Sequence, residues 1–280
     1  MSKSKEDKMK TELNWEEIWE YKRKQRMKPM RITYDTMFRA KFADDFSEQA
    51  KYNNYEYGRE AADALSEIFD KDFEVLEIGS GSGTLSIPLA KKVKKVVAIE
   101  SSEMAVNYLR RNMKESQVEN VEIINGNWME VDDREIKDRF DLVVCSHFLW
   151  QVKDLEGHLK KMENASRKYC AVIQPAGRDG MVKEMWTKIT GKSYMGEFDP
   201  DADYFAYLIL RQWERLVNVR IMNYTVERNF EQEERYIASF IGKYVEADTH
   251  VKEIIEQYVS EKGLHKEKRS AVVMWWIRKR

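Results

Sequence analysis

Val75-Leu76-Glu77-Ile78-Gly79-Ser80-Gly81-Ser82-Gly83-Thr84 reads as a buried strand that breaks into a glycine turn and opens a helix. Glycine tolerates positive φ and lets a ligand approach the backbone closely, so a turn of this kind at a strand end is a candidate binding loop. Glu77 carries negative charge toward the same crevice and suits a cationic amino group. Counted from Gly79, the dinucleotide fingerprint G-x-G-x-x-G needs Gly or Ala where the chain has Thr84, whereas G-x-G-x-G is complete. Thr84 therefore argues against a nicotinamide-dependent oxidoreductase.

Outward from the turn, the pattern alternates. Helical Leu85 to Lys92, apolar Val96 to Ile99, helical Glu103 to Lys114, strands at Val121 to Asn125 and Phe140 to Cys145, a helix over Leu155 to Arg167 and a strand at Tyr169 to Gln174 follow one another. This predicts five parallel strands joined by crossover helices. A mixed segment from Ala176 to Asn218, with a helix-like run at Tyr207 to Leu216, precedes a strand from about Val219 to Val226. Two helices within Glu231 to Tyr258 and a closing strand at Ser270 to Ile277 complete the chain. Upstream, Trp15, Ile18, Trp19 and Tyr21 predict a docked amphipathic helix behind a frayed Lys-rich tail. Tyr34, Phe38, Phe42, Phe46, Tyr52, Tyr55 and Tyr57 then form an aromatic cover, followed by a helix from about Gly58 to Phe69. The expected division is an N-terminal helical lid segment over residues 1–60 and an α/β Rossmann-like domain over 61–280, with substrate-side insertions at about 176–218 and 231–267.

Two further strand ends carry candidate ligand contacts. Glu100 closes the second strand, where a carboxylate can accept hydrogen bonds from both hydroxyls of a ribose; Ser101 follows it. After the third strand comes Gly126-Asn127-Trp128, where an amide can read an adenine edge and an indole can stack on the ring.

With these residues in order, the stretch from about Phe73 to Pro175 resembles the class I S-adenosylmethionine-dependent methyltransferases, particularly their small-molecule branch. The resemblance rests on Glu77-Ile-Gly-Ser-Gly-Ser-Gly83, Val97-Ala-Ile-Glu100, Gly126-Asn-Trp128 and Asp141-Leu-Val-Val-Cys-Ser-His147. It implies a seven-stranded sheet of order 3-2-1-4-5-7-6 and S-adenosylmethionine as cofactor. By position it implies that Gly79 and Gly81 approach the methionine part, Glu100 holds the ribose and Asn127 contacts adenine; Glu77, Ser80, Ser101, Trp128 and Ser146 beside them are further expected cofactor contacts. Asn127 stands where the family often has aspartate. His147, just past the fourth strand, is the candidate general base; Cys145 beside it is a second nucleophile candidate, while His158, His250 and His265 read as surface residues. The fourth strand ends in Ser146-His147-Phe148-Leu149-Trp150 and lacks the Asn/Asp-Pro-Pro-Tyr signature of amide or base-nitrogen methylation.

Composition shapes the expected partners. Forty-eight basic residues nearly cancel 49 acidic ones, and the net charge of −1 supplies no global field for nucleic acid or an anionic membrane. The longest apolar runs fall short of the roughly 20 residues that cross a bilayer, no secretory signal is read, and Cys145 and Cys170 form no metal motif. The expectation is a cytoplasmic methyltransferase acting on a small-molecule acceptor, without metal, nucleic acid or membrane. The alternatives are a protein side chain as acceptor, or a non-catalytic S-adenosylmethionine-binding protein; oligomeric state is not legible.

Overall fold

The computed structural model describes residues 13–31, 36–177, 180–197, 201–263 and 265–279, with the side chains of 36–43 and of His265 outside the description. The expected frayed tail, and the side chains of Tyr34, Phe38, Phe42, Phe198 and His265, therefore lie outside the described residues.

Two helices open the chain, α1 (Trp15–Met27) and α2 (Thr36–Tyr52), then α3 (Glu56–Ala64). The alternating part follows: β1 (Glu74–Ile78), α4 (Ser86–Ala90), β2 (Lys95–Glu100), α5 (Glu103–Glu115), β3 (Val121–Asn125), α6 (Asp133–Ile136), β4 (Phe140–Ser146), α7 (Leu155–Ala165) and β5 (Ser166–Ala176). The last third holds α8 (Gly180–Thr190), α9 (Ala202–Gln212), β6 (Val217–Arg228), α10 (Phe230–Ile241), α11 (Thr249–Lys262) and β7 (His265–Ile277). The sheet has the order β3-β2-β1-β4-β5-β7-β6. Strands β1 to β5 are parallel, and β7 inserts antiparallel between β5 and β6. The expected seven-stranded Rossmann-like sheet is the one found.

Alternation along the strands explains why both faces are covered. Val75 packs on one face with Val96, Leu142, Ala171 and the helices α3, α4 and α5, while Leu76 and Ile78 pack on the other with Val97, Val143, Val172 and the helices α1, α7 and α9. Successive side chains of a strand point to opposite faces, so a strand buried on both reads as a continuous apolar run, as Leu142–Cys145 of β4 does; in β1 the apolar Val75, Leu76 and Ile78 are interrupted by Glu77, which is buried as well. A third apolar cluster joins Met185, Trp186, Ile237, Ile241, Ile255 and Tyr258 of α8, α10 and α11. Several elements differ in length from their expected spans. Helix α4 covers only five residues, with Pro88 inside it, and α9 ends at Gln212, ahead of the expected Leu216. Strands β6 and β7 run 12 and 13 residues, since each continues polar beyond its apolar centre and pairs with the other along its whole length.

Candidate active site

The C-terminal ends of β1, β2 and β4 meet at the glycine turn. Gly79 and Gly81 have φ of +71° and +55°, in the left-handed region that side chains avoid. Gly79 N–H donates to Ile99 O at 2.8 Å, and Asn112, fully buried on α5, donates to Ser82 O at 3.0 Å, so the loop is pinned from both sides. The two glycines differ in their surroundings. A Cβ on Gly79 would meet the Phe148 ring at 2.5 Å, whereas a Cβ on Gly81 would meet nothing within 4 Å. Gly81 thus faces open space.

The Glu100 carboxylate reaches back to the backbone of the same turn. It accepts from Gly81 N–H at 2.9 Å and from Ser102 N–H at 2.8 Å, which leaves about two of its roughly four lone-pair sites for a ligand. Glu77 is nearly inaccessible and accepts a hydrogen bond from Ser86 Oγ. Burial, with a smaller push from the Glu100 charge, raises its carboxyl to about 8. Asn127 is exposed after β3, its Oδ1 accepting from Met129 N–H and its Nδ2 donating to Glu130; one amide hydrogen and one lone pair remain for other contacts. Ser101 lies exposed at the end of β2.

At the end of β4 a second constellation forms around a residue that sequence reading left unassigned. Tyr57 reaches the strand end because Gly58, next to it on α3, packs so tightly on the turn that a Cβ there would lie 2.0 Å from Thr84 O. The Tyr57 hydroxyl and Ser146 Oγ share a hydrogen bond of 2.6 Å, and the Tyr57 ring meets His147 edge-on, centroids 5.2 Å apart. His147 has φ +53°, a conformation uncommon outside glycine that turns its side chain off the strand line. Its side chain is exposed to solvent while the Tyr57 ring packs against it. Desolvation, then the charge of Arg269, lowers its imidazole to about 4, so it is neutral at pH 7. Arg269 of β7 in turn donates to the Tyr236 hydroxyl at 2.8 Å and pairs with Glu267.

Three expected roles change. His158 is a core residue of α7, fully buried, and not a surface one. The Trp128 indole is 2% exposed, and its Nε1–H donates to His158 Nδ1 at 3.1 Å. That places the imidazole proton on Nε2, 3.8 Å from Cys145 Sγ. The Trp128 ring, with Lys161 over it, therefore belongs to the core and does not offer a face for stacking at the cleft. Cys145 is buried against His158, and burial pushes its thiol well above the usual range; a protonated thiol is no nucleophile. Position 158 was legible: Leu155, His158, Leu159 and Met162 follow the i, i+3, i+4, i+7 stripe of an apolar helix face.

A family model described as a methyltransferase domain matches residues 69–213, just over half of the chain. A protein of Bacillus halodurans C-125 provisionally named a methyltransferase has the same fold, with a TM-score of 0.53 at 14% identity over 79% of this chain and 99% of that one. Among curated relatives, the probable ribosomal RNA small subunit methyltransferase A of Methanosphaera stadtmanae is 43% identical over 72 residues, which is 26% of this chain and 25% of that protein. The ribosomal RNA small subunit methyltransferase A of Desulforapulum autotrophicum is 42% identical over 65 residues, 23% and 22% of the two chains. The match thus spans about a quarter of the length of these relatives. Their names overturn the expectation of a small-molecule acceptor without nucleic acid. That expectation rested on net charge, a whole-chain sum that does not bar a local basic surface. No helix among the described residues is long and apolar enough to cross a membrane.

Proposed function

Because the chain belongs to the methyltransferase-domain family and is an S-adenosylmethionine-dependent methyltransferase of the class I Rossmann-like fold, we propose that it methylates a nucleotide of an RNA, at a site between the glycine turn and the Tyr57–Ser146–His147 cluster. The observation that carries the cofactor side is the open space at Gly81 together with a Glu100 carboxylate held on the same residue's N–H with lone pairs to spare. Those features fit the group: Glu100 suits the two ribose hydroxyls, Glu77 the amino end, and Asn127 the adenine edge. The backbone of Gly79, Ser80 and Gly81 would lie along the methionine part, with Ser101 at the ribose side. S-adenosylmethionine supplies a methyl group on a cationic sulfur, an electrophile whose departure leaves a neutral thioether and needs no acid.

This chain's residues then have three tasks. The turn and Glu100 fix the donor in line with the acceptor, a service worth several kcal/mol in effective concentration. Tyr57 and Ser146 share one hydrogen bond and retain capacity to orient an acceptor atom. His147, neutral at pH 7, can accept a proton should the acceptor carry one. The RNA assignment is supported by the names of the partial-length relatives and by the feasibility of a local basic surface.

The test is transfer from tritiated S-adenosylmethionine to total RNA and, separately, to total protein. Label that is acid-insoluble and lost on ribonuclease digestion is expected. Label in protein alone, with none in RNA, overturns the acceptor.

A further inference from the structure

We infer that the C-terminal half of α1 and the turn after it form an RNA-docking track beside the acceptor end of the cleft; the inference rests on the RNA reading above. Residues 21–31, Tyr-Lys-Arg-Lys-Gln-Arg-Met-Lys-Pro-Met-Arg, contain six cations and no acidic residue, which leaves −7 on the rest of a chain of net charge −1. The balanced sum therefore conceals a concentrated positive segment.

The segment is fixed next to the chemistry. Trp19, fully buried, donates its indole N–H to Val152 O at 3.0 Å. The Glu16 carboxylate accepts from the N–H groups of Leu155 and Glu156 at 3.1 and 2.8 Å. Both anchors hold the stretch that leaves β4 just past Ser146 and His147. At the other end, Arg31 N–H donates to Lys243 O at 2.8 Å, and the Tyr244 hydroxyl donates to Arg26 O. This ties the segment to the turn after α10, the helix whose Tyr236 receives Arg269. The segment thus spans the gap between the two elements that flank the acceptor side.

Its cations divide by face. Lys22 and Arg26 turn inward to Asp201, which is almost fully buried, and hold α1 on α9. Lys24 in the last turn of α1, Lys28 at its C-cap and Arg31 in the bend beyond it are exposed, as is Tyr21 at 65%, while Arg23 is half-buried. The outward ion pairs, Lys24 with Glu20 and Arg31 with Glu246, lie at the surface; such pairs are weak and exchange readily for phosphate. Lysines about 6 Å apart along a helix, with an exposed aromatic ring between turns, suit a phosphate backbone with one base stacked on it. An anionic membrane is the less suitable partner, because the tryptophans of α1 pack inward against the protein and the exposed face is mostly charged.

The test uses the full chain and a fluorescein-labelled 20-nucleotide single-stranded RNA of mixed sequence, its anisotropy titrated at 50 to 300 mM KCl. The combined variant Lys24→Gln, Lys28→Gln, Arg31→Gln is expected to bind at least tenfold more weakly at 50 mM salt. Its log–log salt slope should flatten by about 2, the loss of three phosphate contacts on a single strand, with the calorimetric affinity for S-adenosylmethionine unchanged. Lys28→Gln alone should give about a third of the slope change. Wild-type RNA binding with an unaltered slope in both variants overturns the track while leaving an RNA acceptor in place. Binding to vesicles of 20% phosphatidylserine but not to RNA also overturns it. Absence of both RNA binding and RNA methylation in the wild type overturns the acceptor reading, and the track with it.

Discussion

Glu77 should make cofactor binding depend on pH in the neutral range, where an ordinary carboxylate is already fully ionised and contributes no dependence. Its carboxyl holds a proton up to about 8 because it is buried and faces Glu100. A cationic ligand group beside it favours the ionised form. If binding selects that form, only about 1% of the free protein is competent at pH 6 and about a quarter at pH 7.5, so apparent affinity for S-adenosylmethionine should rise roughly 25-fold between them. Near pH 6.5 close to one proton should leave on binding, seen by calorimetry in two buffers of different ionisation enthalpy. Glu77→Gln should flatten the profile and abolish the proton release. An affinity constant over this range in the wild type, with no proton released, would refute the assignment of Glu77 to the cationic end of the cofactor.

The same shift has a consequence for the protein without ligand. Unfolded, Glu77 ionises near 4.5; folded, it keeps its proton to about 8. Between those values the folded state binds more protons, so its stability falls as pH rises, by up to about 1.4 kcal/mol per unit and about 5 kcal/mol in all. Urea midpoints at pH 5 and pH 7.5 should therefore converge in Glu77→Gln relative to wild type.

Five other substitutions separate binding, catalysis and folding. Glu100→Ala should weaken cofactor affinity ten- to a hundredfold, through loss of about 1.5 to 3 kcal/mol of charge-assisted bonding; unchanged calorimetric affinity would remove Glu100 from the ribose. Gly79→Ala drives a methyl into Phe148 and should lower the melting temperature even without ligand. Gly81→Ala meets only open space and should cost about 1 kcal/mol of backbone strain, with a larger loss in binding; equal effects of the two would make the open space irrelevant. Tyr57→Phe should reduce kcat on the RNA acceptor with S-adenosylmethionine affinity retained, and a fall in cofactor affinity alone would remove Tyr57 from the acceptor side. His158, lowered to about 3 by burial and then by Lys161, is neutral when folded, whereas its unfolded form protonates below 6.5. The His158 contribution to stability should accordingly drop by about 2 kcal/mol from pH 7 to pH 5, opposing that of Glu77, so that His158→Gln should steepen the gain in urea midpoint on lowering the pH.

The parts of this molecule that sequence alone reveals are those set by short-range periodicity. β1 is legible because Val75, Leu76 and Ile78, covered on both faces, are apolar, and the glycine turn because no other residue type adopts the positive φ of Gly79, Gly81 and Gly83 as cheaply. Glu100 follows from its place at the end of β2. What periodicity cannot report is the inward or outward choice of one side chain after a strand, or a contact between distant segments. Trp128 and Asn127 are adjacent in a turn, and only the packing of His158 from α7 decides that the indole enters the core while the amide stays at the surface. Tyr57 reaches Ser146 across 89 residues of chain, by way of the close approach at Gly58.

Charge behaves in the same way. A net value averages over the whole chain, whereas a ligand responds to what lies within about a Debye length, roughly 10 Å at moderate salt. Over that distance the six cations of residues 21–31 meet three paired carboxylates, Glu20, Asp201 and Glu246, and so keep a local positive excess. The inference from neutrality to absence of a polyanionic partner fails at this step: the relevant sum runs over a patch, and the sequence defines the patch only once the helix is docked beside the cleft by Trp19 and Glu16.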